Sequence, residues 1–183
     1  MDNKELKDYF YFTGDVEEKT IKPCIEWIIE HNKAHVCSRP PFLTLYVNTW
    51  GGSMPQAWGL TDMMAASNIP IRTVGTGVIS SCGFIIFIAG EKGTRTLMKN
   101  THVLTHQYSW GVGGKHHELE GRVKEFKNVY DRMVAYYLKH TKLKTRKDVE
   151  SKLLPATDVW LTSSQCKTYG VCDIVADTLD IFE

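Results

Sequence analysis

Strand-like and helix-like segments alternate along the first half of the chain, and this order limits the fold more than any other feature. Apolar segments typical of strands lie near 9–14, at FLTLYVN (42–48) and at IRTVGTGV (71–78). Amphipathic helical patterns near 17–32 and 54–67 separate them. Strands that are connected through helices pair in parallel. The order therefore predicts an α/β fold of successive βαβ units.

A longer helical pattern dominates the second half, after two short predicted strands in TRTLM and HVLTHQ and a glycine-rich segment, YSWGVGG. Its apolar residues recur at steps of four and three, the spacing of a coiled-coil seam. They are Leu119, Val123, Phe126, Tyr130, Met133 and Tyr137. This stripe could pack on its own domain or on a second copy, and the spacing leaves both open. Thr162 and Gln165 then form a capping-box pattern that predicts a short helix ending at Gly170, followed by a strand near 172–175.

Composition and charge exclude several classes of protein. The 22 basic and 21 acidic residues give a net charge of +1, which argues against nucleic-acid or anionic-membrane partners. The one basic run, within 139–147, is followed at once by acidic residues and is interpreted as a solvated face. No stretch approaches the roughly 20 apolar residues of a membrane span. The opening MDNKELKDYF lacks the apolar region of a signal peptide. Five scattered cysteines form no C-x-x-C pair, so we expect a cytoplasmic protein without disulfides or a zinc site.

The stretch ISSCGFIIFIAG (79–90) places two serines between an apolar strand and an apolar helix. A strand-to-helix turn exposes free backbone N–H groups and the positive end of the helix dipole. Such a position suits a nucleophile whose attack creates an oxyanion. The simpler interpretation is that Ser80 or Ser81 is only the N-cap of the helix.

Two further features favour chemistry at this position. Gly51 and Gly52 follow a core strand, at the sheet edge where α/β proteins bind ligands, although paired glycines are also common in turns. His106 ends a short apolar strand. A serine, a glycine pair and a histidine, each at a strand end, form a plausible acyl-transfer set. The acid that would orient the histidine cannot be chosen by spacing alone.

Four ordered motifs resemble those of the ClpP family of self-compartmentalising serine proteases. The family pattern runs NSPGG, SMG, MIHQP and a late D-x-F-[ML]-[ST]…EYG-[LV]-[IV]-D. This chain has NTWGG, SCG, LTHQY and DVWLTSSQCKTYGVCD in the same order. Ser81 follows Gly52 by 29 residues and precedes His106 by 25, spacings similar to those of the family. The resemblance covers roughly residues 9–175.

The resemblance implies a role for each matching position. Ser81 corresponds to the nucleophile, His106 to the general base and Asp158 to the acid that orients the histidine. Gly52 and Cys82 correspond to the two positions whose backbone N–H groups form the oxyanion hole. Cys82 replaces the usual Met, and its thiol is also a candidate oxidation site. Neither a metal nor a cofactor is implied.

Ser80 falls where the family has a small residue, which implies packing or capping. By the same resemblance, the whole chain, 1–183, is a single ClpP-like peptidase domain with a ClpP/crotonase-like superhelix of βαβ units. Its head would comprise about 9–106 and 155–175, and its handle, with the long helix, about 107–154.

The family assembles as two stacked seven-membered rings, a tetradecamer that encloses the active sites, and the handle lies between the rings. This implies a homo-oligomer that degrades unfolded polypeptides and short peptides. An AAA+ unfoldase of the ClpX or ClpA type is the implied partner. Its docking is in doubt, because polar or small residues stand where the family's docking groove is usually apolar, while Tyr46 is retained. They are Thr44, Ala66, Thr76 and Thr96.

Three alternatives remain beside an active peptidase. The first is a catalytically silent subunit of a mixed Clp ring, although such subunits typically lose a triad member. The second is a phage-type protease of capsid maturation. The third is a crotonase-type acyl-CoA enzyme, which shares the fold but does not need the Ser–His–Asp set.

Overall fold

A computed structural model describes residues 6–111 and 113–178. The segment 1–5, on which part of the signal-peptide expectation depends, lies outside the described residues. The strands are β1 (Tyr9–Thr13), β2 (Leu43–Thr49), β3 (Ile71–Ser80), β4 (Thr96–Met98), β5 (His102–Thr105), β6 (Val159–Leu161) and β7 (Ile174–Ala176). The helices are α1 (Glu18–Lys33), α2 (Met54–Ala66), α3 (Cys82–Ile88), α4 (His116–His140), α5 (Arg146–Lys152) and α6 (Ser163–Tyr169), with a short 3₁₀ helix at Val36–Ser38.

The strands form one mostly parallel sheet in the order β1-β2-β3-β4-β7, with β5 paired to β3 and β6 to β5. All pairs are parallel except β5 with β6. Each parallel pair along β1, β2 and β3 is connected through α1 or α2, as parallel strands require. The predicted α/β class with βαβ units and a long second-half helix is therefore confirmed.

Strand β3 is long enough to pair with two strands in succession. Its first half pairs with β4 at Val74 and Gly75, and its last three residues pair with β5. Between these halves the register with β2 shifts, and the Asn48 Oδ1 accepts a hydrogen bond from the Val78 N–H at 3.1 Å. The shift directs the end of β3 toward β5, away from β4. This end of β3 leads into the turn at Ser81.

The core lies on the sheet face that α1, α2 and α3 cover. Strand β2 alternates buried and half-buried residues, with Leu43, Leu45 and Val47 inside. All seven residues of α3 are buried, which is why its sequence is apolar on every side. The Phe84 ring of α3 packs edge-on against Tyr137 of α4, with ring centroids 5.3 Å apart. Helix α3 is thereby held between the sheet and α4.

A buried ion pair fixes the last strand. The Arg95 guanidinium donates to both carboxylate oxygens of Asp173 at 2.8 Å, and its Nη1 donates to the His140 carbonyl at 2.6 Å. The Asp173 carboxylate also accepts from the N–H groups of Gly93 and Arg95. Burial alone would raise the pKa of Asp173, but these donors outweigh it and hold the pKa below its ordinary value. The pair connects β4, β7 and the end of α4.

The sequence-based expectations for the second half were met in part. The capping box forms, since Thr162 Oγ1 accepts from the Gln165 N–H and the Gln165 side chain accepts from the Thr162 N–H. The basic run includes Arg146, which forms ion pairs with Asp131 and Glu150 at 2.7 Å, as expected for a solvated face. Strand β6 and helix α5 were not predicted. None of the helices among the described residues is both long and apolar enough to cross a membrane.

Helix α4 consists of two different parts. In its inner segment (133–140), Met133, Val134 and Tyr137 are buried against the core. In its outer segment (116–132) no residue is buried, and Val123 is 69% exposed. The single apolar seam predicted from spacing therefore divides. Its last two positions are buried, Tyr130 packs against the core and Phe126 stacks on Tyr108, whereas Val123 is left exposed.

Candidate active site

Ser81 occupies a strained turn between β3 and α3. Its φ of 54° makes it the only residue other than glycine with a positive φ in the described part of the chain. Such a conformation costs about 1–3 kcal/mol and persists only where surrounding contacts impose it. The Ser81 N–H donates to the Leu104 carbonyl at 3.1 Å, which fastens the turn to β5. Although Ser81 is the N-cap of α3, its side chain forms no capping hydrogen bond, so capping does not explain the hydroxyl.

Gly51 and Gly52 pass directly beside this turn. Gly51 has a φ of 104°, and a Cβ added there would lie 2.7 Å from the Ser81 Cβ and 2.9 Å from the Ser80 carbonyl oxygen. A Cβ on Gly52 would lie 2.6 Å from the Val16 carbonyl oxygen. Only glycine allows the chain to fit between Val16 and the serine turn. The family resemblance singled out Gly52 as an oxyanion-hole position, whereas Gly51 makes the closer approach to Ser81.

The orientation of two backbone N–H groups follows from their neighbours. The Val16 N–H donates to the Gly51 carbonyl at 2.8 Å, and the Phe84 N–H donates to the Ser81 carbonyl at 3.0 Å. In a trans peptide the N–H points opposite to the carbonyl of the same unit. The Gly52 N–H therefore points away from Val16, and the Cys82 N–H points away from the first turn of α3. No hydrogen bond from either N–H to a backbone acceptor is found among residues 6–111 and 113–178.

His106 directly follows β5 and Asp158 directly precedes β6, at the same end of the small antiparallel ladder. Thr105 is paired with Val159, and one further step of this register sets His106 opposite Asp158. Residues directly opposite in an antiparallel pair have Cα atoms about 4.5–5.5 Å apart and side chains on the same face. His106 is half-buried and Asp158 is exposed.

Within the described residues, no hydrogen bond joins the side chains of Ser81, His106 and Asp158. Catalytic hydrogen bonds are often long in ligand-free proteins and shorten when substrate binds.

A small cavity of about 50 Å³ gathers four of the five predicted site residues. Its lining consists of Gly52, Met54, Ser81, Cys82, Ile85, His106, Tyr108, Ser109, Met133 and Tyr137. Asp158 is not part of this lining. A much larger surface cavity of about 680 Å³ lies between the start of β1 and the 3₁₀ helix, and contains none of the predicted residues.

The cavity wall also includes residues that sequence reasoning had assigned elsewhere. Met133 and Tyr137 were placed on the coiled-coil seam, but both line the cavity. Tyr137 is 1% exposed, its hydroxyl lies 3.4 Å from the Thr105 Oγ1, and burial raises its pKa. It is therefore a neutral part of the wall at physiological pH. No group of three His, Cys, Asp or Glu side chains suited to a metal ion occurs within the described ranges.

Comparison with known proteins decides the family. The family model for Clp protease matches residues 37–178, which is most of the chain. The chain belongs to the Clp protease family. It is 30% identical over 138 residues to the ATP-dependent Clp protease proteolytic subunit of Deinococcus radiodurans, covering 74% of this chain and 65% of that protein. It is 31% identical over 134 residues to proteolytic subunit 2 of Nocardia farcinica, covering 73% and 64%.

A third relative, proteolytic subunit 2 of Thermobifida fusca, is 30% identical over 141 residues, covering 76% of this chain and 68% of that protein. The matched part thus spans about two thirds of the length of these relatives. Their names describe proteolytic subunits of an ATP-dependent Clp protease.

The residues expected to line a docking groove differ in exposure and surroundings from the sequence-based expectation. Thr96 is fully buried and cannot line a groove on the described surface, so its inclusion was wrong. Tyr46, on β2, packs against two exposed aromatic residues of β1, Tyr9 and Tyr11. The Tyr11 hydroxyl lies 3.3 Å from the Thr76 Oγ1. The face around Tyr46 is therefore more aromatic than the four substituted positions suggested.

Proposed function

We propose that this chain is a serine endopeptidase, a self-compartmentalising ClpP-like proteolytic subunit that hydrolyses unfolded polypeptides and short peptides. The observation that carries the proposal is the strained Ser81 turn, which shares a small cavity with His106 beside two backbone N–H groups that have no backbone acceptor among the described residues. Family membership supports a peptidase, and the matching positions supply the serine mechanism.

The proposed reaction follows the chemistry of acyl transfer. His106 takes the proton of the Ser81 hydroxyl, and the oxygen attacks a peptide carbonyl carbon. The carbonyl oxygen becomes an oxyanion that accepts hydrogen bonds from the Gly52 and Cys82 N–H groups. Asp158 stabilises the imidazolium. His106 then protonates the leaving amine, and water repeats the cycle to release the acyl group from Ser81.

The Ser81 turn suits this role in physical terms. A positive φ at a strand-to-helix junction keeps the nucleophile at the tip of the turn, and the close approach of Gly51 brings the next N–H donor toward it. Loss of one oxyanion donor typically lowers kcat about 10²–10³-fold. The donors proposed here are backbone groups, so a side-chain substitution does not remove them.

A fluorophosphonate probe and a short fluorogenic peptide test the proposal together. We expect the purified oligomer to be labelled at Ser81, and Ser81→Ala to lose labelling and at least about 10³-fold of peptide hydrolysis. Ser80→Ala is the matched control, since it changes the neighbouring hydroxyl and should keep labelling. Absence of both labelling and hydrolysis in the assembled parent would favour the silent ring subunit. Labelling with cleavage confined to capsid-type substrates would favour the phage-type protease.

The proposed assembly is a pair of stacked rings, probed through the outer segment of α4. That segment carries Leu119, Val123 and Phe126, and none of positions 116–132 is buried. This supports a handle whose partner is a second copy. Native mass measurement would check it, with a fourteen-subunit species as the expected result.

An AAA+ unfoldase of the ClpX or ClpA type is the proposed partner. Weak coupling is the expected outcome, because Thr44, Ala66 and Thr76 offer little apolar surface.

A further inference from the structure

The Cys82 side chain bridges the two backbone segments at the proposed oxyanion site. Its Sγ donates to the Gly52 carbonyl oxygen at 3.1 Å, across 30 residues of sequence. Cys82 is 2% exposed, so the bridge is shielded from water. The sequence-based interpretation gave Cys82 a backbone role and considered its thiol only as a candidate oxidation site.

The glycine segment is held differently on its two sides. On the β1 side, the Val16 N–H donates to the Gly51 carbonyl at 2.8 Å and the Ser53 N–H donates to the Val16 carbonyl at 2.7 Å. On the α3 side, within the described residues, the hydrogen bond that joins the glycine segment to the turn is the one donated by the Cys82 thiol. The distance between the Gly52 and Cys82 N–H groups therefore depends on this thiol.

The thiol can act only as a donor while it keeps its proton. Burial raises the pKa of Cys82 and outweighs the effects of the Gly52 and Cys82 backbone groups and the Ser81 side chain, which lower it. The side chain accordingly stays a neutral S–H donor at physiological pH. A methionine, the usual residue of the family motif at this position, has no proton to donate.

We propose that Cys82 is a positioning residue whose thiol fixes the Gly52 segment against the Ser81 turn, so that both N–H groups converge on the oxyanion. This inference rests on the proposed peptidase function. The two N–H groups are needed fully only when negative charge develops on the substrate oxygen, so the thiol should affect kcat more than KM.

Three variants separate positioning from packing. Cys82→Ala removes the donor, Cys82→Ser restores one, and Cys166→Ala removes a buried thiol outside the cavity as the matched control. We expect Cys82→Ala to lower kcat for a fluorogenic peptide about 10-fold with KM within about twofold. Cys82→Ser should recover most of that loss. A peptide aldehyde, which forms a tetrahedral adduct, should lose affinity in Cys82→Ala by a factor similar to the loss in kcat.

Hydrogen–deuterium exchange of the segment 49–53 supplies a readout that does not require activity. We expect faster exchange in Cys82→Ala than in the parent, Cys82→Ser or Cys166→Ala. Unchanged kcat and exchange in Cys82→Ala, a change in KM alone, or a Ser variant as impaired as the Ala variant would each overturn the proposal. If the parent hydrolyses nothing and Ser81 is unlabelled, the peptidase proposal fails and positioning for catalysis fails with it. Exchange then still reports whether the thiol holds the glycine segment.

Discussion

The edge of the sheet around Ser81 and the outer segment of α4 follow opposite structural rules. At the sheet edge, Gly51 approaches Ser81 so closely that a methyl group would not fit, and hydrogen bonds from Val16 and Cys82 hold the glycine segment on both sides. In the outer segment, Val123 is 69% exposed and Gly121 has nothing within 4 Å of an added Cβ. The first region is determined by contacts within the chain, whereas the second has room for a partner.

Replacing Asp173 by Ala should have the largest effect on stability, because it leaves the buried Arg95 charge unpaired. Arg95 is 3% exposed, so we expect a loss of about 3–5 kcal/mol in the free energy of unfolding. Denaturant unfolding followed by circular dichroism would measure it. Glu30→Ala removes the exposed ion pair with Lys33 and should cost below about 1 kcal/mol. Equal losses in the two variants would contradict the distinction between a buried and an exposed ion pair.

Gly51→Ala should abolish most of the proposed activity. The added methyl group must displace the Ser81 Cβ or the Ser80 carbonyl, and a φ of 104° is strained for alanine. We expect at least about a 10²-fold loss of peptide hydrolysis, with destabilisation of about 1–3 kcal/mol. The fluorogenic peptide assay and thermal unfolding would measure the two effects. Near-parental hydrolysis would show that the close approach is not required.

Acidification should weaken the contact at the end of α4 through His140. Burial, reinforced by Lys139, lowers the pKa of His140 to about 4, whereas the unfolded chain titrates near 6.5. The folded pKa is depressed, so for this cation-forming group the stabilisation is complete above pH 6.5 and decreases toward pH 4. Allowing for its partial exposure, we expect about 1–2 kcal/mol over that window.

His140→Asn is the matched variant for this pH dependence, since its amide can still donate to the Ile88 carbonyl that His140 Nδ1 contacts. The free energy of unfolding of the parent should fall more steeply than that of the variant between pH 6.5 and 4.5. Parallel curves would mean that His140 does not titrate differently in the folded protein.

Gly121→Ala, the counterpart of Gly51→Ala on the outer segment, should stabilise the chain. An alanine in an exposed helix interior gains about 0.5–1 kcal/mol over glycine, and the added methyl group meets no atom within 4 Å. Unfolding at low protein concentration would measure the gain. Destabilisation that appears only in the assembled protein would mean that a second copy packs closely against Gly121.

Val123→Glu should leave the free energy of unfolding of the single chain within about 0.5 kcal/mol. It should weaken self-association, because a charge replaces an apolar contact in the proposed handle. Asn128→Glu, with the same change of charge at another exposed position of α4, is the control. Sedimentation velocity would compare the two, and an equal effect on association would argue against Val123 as a contact residue.

Much of the fold could be predicted from the sequence because local periodicity reports burial. The bounds of β2 and α2 and the presence of α4 follow from apolar patterning and helical spacing, and the capping box at Thr162 follows from two residues. Strand β6 was missed because three residues, VWL, carry too little periodicity. That strand supplies the register that sets His106 opposite Asp158, so spacing could not choose the acid and only family resemblance did.

The sequence by itself determined the α/β class, the strand-to-helix turn at Ser81 and the order of the family motifs, because each depends on neighbouring residues or on motif spacing. Tertiary structure decided which groups meet: Gly51 against Ser81, Val16 against the glycine segment, and the Cys82 thiol against the Gly52 carbonyl. It also divided the α4 seam into a buried part and an exposed part. These contacts join residues that are distant along the chain, and no local pattern records a distance of that kind.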